Sequence, residues 1–197
     1  MNTQSVISVI FLSVRMGLIA TLINLPISIS LALIMSRKKI IGKRTVEGLI
    51  NLPLVMPPVT TGYLLLILLG KRGIIGGFLF DNFGIRIAFT SNAVIIASMI
   101  VSFPLLYKSI KISIDMVDKK LENCAKTLGA NRLEVLLRVT LPLIMPGVVN
   151  GMVLGFARSL GEFGATMTFA GNIEGITRTI PLAVYSKLQV PGKEKEA

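Results

Sequence analysis

Four stretches of this chain carry no charged residue at all: 16–36, 48–70, 87–107 and 139–157. Each is close to the roughly 20 residues that a helix needs to cross the hydrocarbon core of a bilayer. Inside lipid there is no water to satisfy backbone N–H and C=O groups, so a lone spanning segment must be helical. The expected fold class is therefore all-α and polytopic, with four transmembrane helices in the lipid bilayer. Composition agrees, since 52% of the 197 residues are hydrophobic and only 16% are charged, whereas a soluble domain has roughly 25% charged residues. The N-terminal stretch lacks the basic leader of a secretory signal and its apolar run is too long for one, so it is expected to stay as a span.

Several chemistries are excluded early. Histidine is absent and Cys124 is the one cysteine. No Ser/His/Asp or Cys/His constellation can form, and no disulfide within the chain. No Walker A pattern occurs, so no ATP site of that type is expected here. The net charge of +11 is the kind of excess that attracts nucleic acid. Its distribution points elsewhere, because basic residues beside apolar spans set membrane orientation; no nucleic-acid partner is expected.

The link between the first two spans holds Arg37, Lys38, Lys39, Lys43 and Arg44. The link at 108–138 holds seven more basic residues, and the link at 71–92 only Lys71, Arg72 and Arg86. This bias puts the first and third links in the cytoplasm and the N-terminus outside. The chain would then end outside at 190–197, where a further helix is expected to be missing. Arg15 would lie near the outer end of the first span and snorkel to the interface.

Within span two, NLPLVMPPVTTG places Pro53, Pro57 and Pro58 where a helix must kink or break, and broken helices at membrane depth line cavities or sit in protein. Thr60 and Thr61 follow the break and can offer hydroxyls to a polar passage, or bond back to their own helix. The outer link at 71–92, with Gly73, Gly76, Gly77 and Gly84, reads as a partly interfacial loop. Past span four, Arg158 and Glu162 are four residues apart and can pair on one helix face. Ser159, Thr166 and Thr168 add hydroxyls. Such a set suits a passing oxyanion better than a metal cation, either as pathway or as structural pairing.

The third link is more than a connector. A first helix is expected over about 117–128, with Gly129 at the position where a C-terminal cap needs positive φ. Asn131 then caps a second helix with Glu134 three residues on, and Leu133, Leu136 and Leu137 form an apolar stripe. Pro142 and Pro146 mark the entry into span four. The alternatives are a docking element for a soluble partner and an amphipathic connector lying on the membrane.

This loop resembles the EAA motif of ABC importer permeases: E-A-A, three residues, G, nine residues, then I-x-L-P. Gly129 and Leu141-Pro142 keep that spacing, and Asn123, Cys124 and Ala125 fall at the E-A-A positions. The chain departs at the first two, Val139 stands for Ile, and Glu122 precedes the usual acid by one. The segments NLPLVMPPVTTGYLLL, GKRGIIG, GEFGAT, GNI and TRTIP are similar to molybdate or tungstate permeases over nearly the whole chain.

The resemblance implies one transmembrane permease domain over 1–197, with a cytoplasmic coupling loop at about 108–141. It also implies a homodimer in a prokaryotic plasma membrane. Cytoplasmic ATP-binding subunits would hold ATP and Mg, an external oxyanion-binding protein would deliver substrate, and this chain itself would hold no cofactor. Contacts with the ATPase would come from Glu122, Asn123, Ala125, Gly129, Leu133, Leu136, Leu141 and Pro142. Candidate pathway residues are Thr60, Thr61, Arg158, Ser159, Glu162 and Thr166. The rival readings are a sulfate or thiosulfate permease of the same kind, an ATP-independent channel or secondary transporter, and an intramembrane enzyme.

Overall fold

The computed structural model describes residues 3–38 and 40–190. Lys39 and the expected outer end at 191–197 lie outside the described residues. The described residues are helical, with no strand among them. Among the described residues three helices are long and apolar enough to cross a membrane, and a bent pair has the length and apolarity of a fourth, broken span or of a re-entrant loop.

Helix α1 (Thr3–Arg37) is longer than its charge-free part. Arg15 lies within it rather than near its end, with an exposed side chain. The bent pair is α2 (Lys43–Val55) and α3 (Pro58–Leu69), which meet at 112°. Proline explains the place of the break: Pro57 and Pro58 supply no N–H to the preceding turn, and Pro57 takes an extended ψ of 133°. Helix α2 has no buried residue and begins at the basic link.

The outer link differs from expectation, because it contains a helix, α4 (Ile74–Phe83). Its glycines serve packing as well as turning. Gly76 lies against the backbone carbonyls of Leu69 and Gly70, where a Cβ would clash, so α4 folds tightly back on the end of α3.

Helix α5 (Ser91–Met116) lies between α1 and the last long helix. That helix is built from α7 (Arg132–Val135), a π turn (Leu136–Thr140) and α8 (Leu141–Leu160), which run together without a stop. The expected separation of the second loop helix from span four is therefore absent. Pro142 cannot donate to the turn before it, and Leu141 N–H instead reaches the Leu136 carbonyl. The widened turn absorbs the proline without ending the helix. Gly147, Gly151 and Gly155, spaced by four, bring α8 close to α5. A Cβ on Gly151 would stand 3.2 Å from the Leu106 carbonyl oxygen. Small residues at this spacing allow helices to approach closely in membranes.

Two apolar clusters divide the bundle. One joins α1, α5 and α8 through Met35, Leu106, Ile110, Ile114 and Ile144. The other joins Met16, Leu65, Val94, Val101 and Phe169, where α3 and the short helix α9 (Gly164–Phe169) insert. Asn24 ties α1 to α5, donating to the Met99 carbonyl at 2.9 Å and to Ser102 Oγ at 3.2 Å. Helix α10 (Ile180–Leu188) follows, and its first N–H bonds Ser13 Oγ on α1 at 2.9 Å.

Candidate functional site

Both basic links come together at one end of the bundle. Arg37, at the last turn of α1, donates to Glu122 Oε1 at 2.7 Å, and Thr140 Oγ1 donates to the same oxygen at 2.9 Å. Lys111 on α5 lies 3.5 Å from Glu47 on α2. The third link thus rests on α1, α5 and the π turn rather than hanging free.

The link begins where α5 ends. Asp118 caps helix α6 (Lys119–Thr127), accepting from Lys120 N–H at 2.9 Å. The far end of α6 closes by two paired bonds: Ala130 N–H to the Ala125 carbonyl at 3.1 Å, and Gly129 N–H to Lys126 at 3.0 Å. This is the Schellman arrangement, which requires a left-handed residue between the two donors, and Gly129 has φ +92°. Asn131 then accepts from Leu133 and Glu134 N–H at 3.0 Å each, while Glu134 Oε2 accepts from Asn131 N–H at 2.9 Å. The reciprocal box satisfies donors that a helix start otherwise leaves open. A turn fixed at both ends in this way presents a preformed surface.

Of the residues expected on that surface, Asn123, Gly129 and Leu133 are exposed. Ala125, Leu136 and Leu141 are half-buried, and Pro142 is exposed on the flank of α8. Glu122 faces inward on Arg37 and Thr140. Sequence reading missed Leu128, which is 88% exposed, and Leu121, which is about half exposed. With Leu133 and Leu137 they make four large apolar side chains on a link rich in charge. The available signal was the mismatch of apolar residues beside a helix-ending glycine.

The candidate pathway residues meet elsewhere. Gly62 on α3 lies against the backbone of Ala165, where a Cβ would stand 2.6 Å from the carbonyl oxygen; Gly164 is equally tight against Pro58. The proline break and the GEFGAT segment, more than 100 residues apart, therefore cross at van der Waals distance. Arg158 Nη1 approaches Glu162 Oε2 to 2.8 Å. Glu162 is 2% exposed, and its Oε1 accepts from Ala165 N–H at 2.8 Å, capping α9. The Arg158 contact is a close charge pair without hydrogen-bond alignment, since Oε2 has no donor aimed at it.

Ser159 is buried and bonds back to the Gly155 carbonyl at 3.0 Å. Thr60 is exposed, whereas Thr61 and Thr166 are buried with hydroxyls that have no partner among the described residues. Glu162 thus caps α9, and Ser159 bonds within its own helix. Thr61 and Thr166 are the hydroxyls left over at the crossing of α3 and α9.

At the opposite end from the basic links, the GNI and TRTIP segments fold into a tight loop. Thr177 Oγ1 accepts from Ile173 N–H at 2.9 Å and donates to the Gly171 carbonyl at 3.1 Å. Arg178 reaches Asn172 at 2.9 Å and Glu174 at 3.1 Å.

A polytopic helical bundle with a bent helix pair and a doubly capped, leucine-bearing link at its basic end defines a multi-pass membrane protein. Residues 6–188 match the family described as "Binding-protein-dependent transport system inner membrane component". The chain belongs to this family and is a multi-pass permease subunit of the inner membrane.

It is similar to "Molybdenum transport system permease protein ModB" of Haemophilus influenzae (strain ATCC 51907 / DSM 11121 / KW20 / Rd), with 48% identity over 190 residues, covering 96% of this chain and 83% of that protein. The protein of the same name from Escherichia coli (strain K12) is also 48% identical, over 95% of this chain and 82% of its own length. More distant is "Probable sulfate transport system permease protein cysT" of Chlorokybus atmophyticus, 33% identical over 93% of this chain and 64% of that protein.

Proposed function

We propose that this chain carries molybdate, or the chemically similar tungstate, across the prokaryotic plasma membrane as the permease subunit of an ATP-driven importer. The observation that carries the reading is 48% identity over 96% of the chain to a relative named for molybdenum transport, against 33% to one named for sulfate. Two copies of this chain would form the passage. Cytoplasmic subunits would bind ATP and Mg and hydrolyse ATP, docking on the capped link through its exposed leucines. An external binding protein would deliver the oxyanion to the end that holds the GNI and TRTIP loop. The N-terminus would be outside, as the lysine and arginine bias of the links supports.

The test is uptake into proteoliposomes holding the assembled transporter and its binding protein. ATP-dependent entry of radiolabelled molybdate is expected, competed by tungstate and not by sulfate or thiosulfate. Preferred uptake of sulfate would assign the chain to the sulfate class. Entry without ATP would assign it to channels or secondary transporters.

A further inference from the structure

Facing away from the core, α5 and α8 frame an open notch of about 360 Å³, walled mainly by Leu105, Ile112, Pro146 and Leu154 with a few polar groups among them. Asn150 is one of those polar groups. It lies eleven residues after Val139 and seven before Ala157, in a charge-free stretch. At a rise of 1.5 Å per residue it is therefore roughly 10 Å or more from either end. Asn150 is exposed, and its Nδ2 donates to Ser109 Oγ at 3.1 Å. Ser109 in turn donates to the Gly147 carbonyl at 2.9 Å. Asn150 makes no other side-chain hydrogen bond among the described residues. Ser113 and Lys108 line the same notch, and no carboxylate does. Elsewhere the exposed face of α8 shows Met145, Val149 and Val153.

An amide with spare hydrogen-bonding capacity is costly to leave against hydrocarbon, so this face meets water or protein. Direct contact with the same patch of a second copy would bring two Lys108 ammonium groups together, which like-charge repulsion opposes. Ser109 is spent on the Gly147 carbonyl and holds Asn150 in place. The donors left at the notch are the second amide N–H of Asn150, the Ser113 hydroxyl and the Lys108 ammonium, and with no acid beside them they suit a passing anion. The volume exceeds several times the about 30 Å³ that one water occupies in liquid, so a tetrahedral oxyanion fits with part of its hydration.

We infer that Asn150, Ser109, Ser113 and Lys108 form a mid-membrane station of the passage, where the oxyanion trades water for protein donors. The inference rests on the proposed import function and goes beyond it by locating a site for the anion in this chain.

The experiment uses the full transporter with Cys124→Ser and a single Asn150→Cys. A water-soluble thiol reagent is expected to modify the introduced thiol, and molybdate at saturating concentration is expected to slow that modification. A second variant, Asn150→Asp, places a negative charge in the notch. Transport is expected to fall about tenfold or more by like-charge repulsion, with normal assembly. An inert thiol at position 150 together with parent-like transport by Asn150→Asp would overturn the station in favour of a lipid-facing notch. A disulfide between the introduced thiols of two copies, without reaction in water, would overturn it in favour of a dimer seam. If Asn150→Asp fails to assemble, reactivity and protection of the Asn150→Cys thiol decide alone. A parent complex that carries no oxyanion refutes the proposed function; a parent that does, with the introduced thiol inert, refutes only this inference.

Discussion

Replacing Gly129 by valine isolates the turn between α6 and α7 from everything around it. At φ +92°, a Cβ on residue 129 meets no atom within 4 Å, so crowding adds nothing and the whole cost is backbone strain. A residue with Cβ in the left-handed region costs about 1–2 kcal/mol, and a β-branched one lies at the upper end of the about 1–3 kcal/mol assigned to sparsely populated backbone regions.

Against this stand the two bonds that close α6, Ala130 N–H to Ala125 and Gly129 N–H to Lys126. Each contributes about 1 kcal/mol net. Strain of about 2–3 kcal/mol therefore cancels the stabilisation of the closed turn, and every 1.4 kcal/mol shifts its population about tenfold. The spans lie away from this turn and should insert as before.

The assay compares membrane level, retention of the ATPase through purification, and ATP hydrolysis with and without loaded binding protein. Gly129→Val is expected to keep its membrane level, lose transport, and lose stimulation of hydrolysis. Gly129→Asn should stay close to the parent, because asparagine tolerates positive φ. A Gly129→Val protein that transports normally and keeps its ATPase would refute the docking role of this turn and leave the surface-connector reading.

Three further outcomes are expected. Glu122→Ala removes the acceptor shared by Arg37 and Thr140, and should cost about 1–3 kcal/mol as lost charge-assisted bonds at a partly exposed site, read as a lower melting temperature of the purified protein; an unchanged melting temperature would mean that the link is not anchored there. Gly62→Val drives a side chain into the Ala165 backbone, and overpacking of about 1–3 kcal/mol or more should appear as aggregation on size exclusion, with Gly48→Val, which meets open space, behaving as the parent. Single cysteines at Asn82 and Lys119, with Cys124→Ser, should react with an impermeant reagent from opposite sides of the membrane; reaction from the same side would overturn the span assignment.

Periodic and compositional signals made the spans legible, because a charge-free run of bilayer length has few other solutions. The capped turn was legible for the same kind of reason: Asn131, Glu134 and Gly129 act on their own backbone, within a few residues. Features that depend on distant partners were not. Glu122 gave no sign that its partner would be Arg37, 85 residues away. Glycines in the outer link suggested a loop, although Gly76 is there to let α4 pack on the end of α3. Pro142 read as a helix boundary, and only the π turn ahead of it shows how the helix continues. At the far end of α8, the pairing of Arg158 with Glu162 followed from spacing. The capping of α9 by Glu162 depends on the end of the helix at Gly161, which spacing does not reveal.

These distant contacts connect the two ends of the molecule. The helix from Arg132 to Leu160 has 29 residues, so it is about 43 Å long at 1.5 Å per residue. One end carries the capping box beside the exposed leucines. Two residues past the other end stands Glu162, whose carboxylate fixes the start of α9, and α9 packs on α3 just after the proline break. One uninterrupted helix therefore joins the link to the crossing that holds the bent pair. This helix has two compliant points, the π turn and Pro146, whose ring removes a further backbone donor. Arg37 and Thr140 grip Glu122 beside the first of them, so α1 is bonded to the link at the π turn as well as packed along α8. Movement of the link relative to α1 should then tilt α8 about the end that carries the link. The largest excursion would fall at the far end, where α9 and α3 meet and where the unpaired hydroxyls of Thr61 and Thr166 stand.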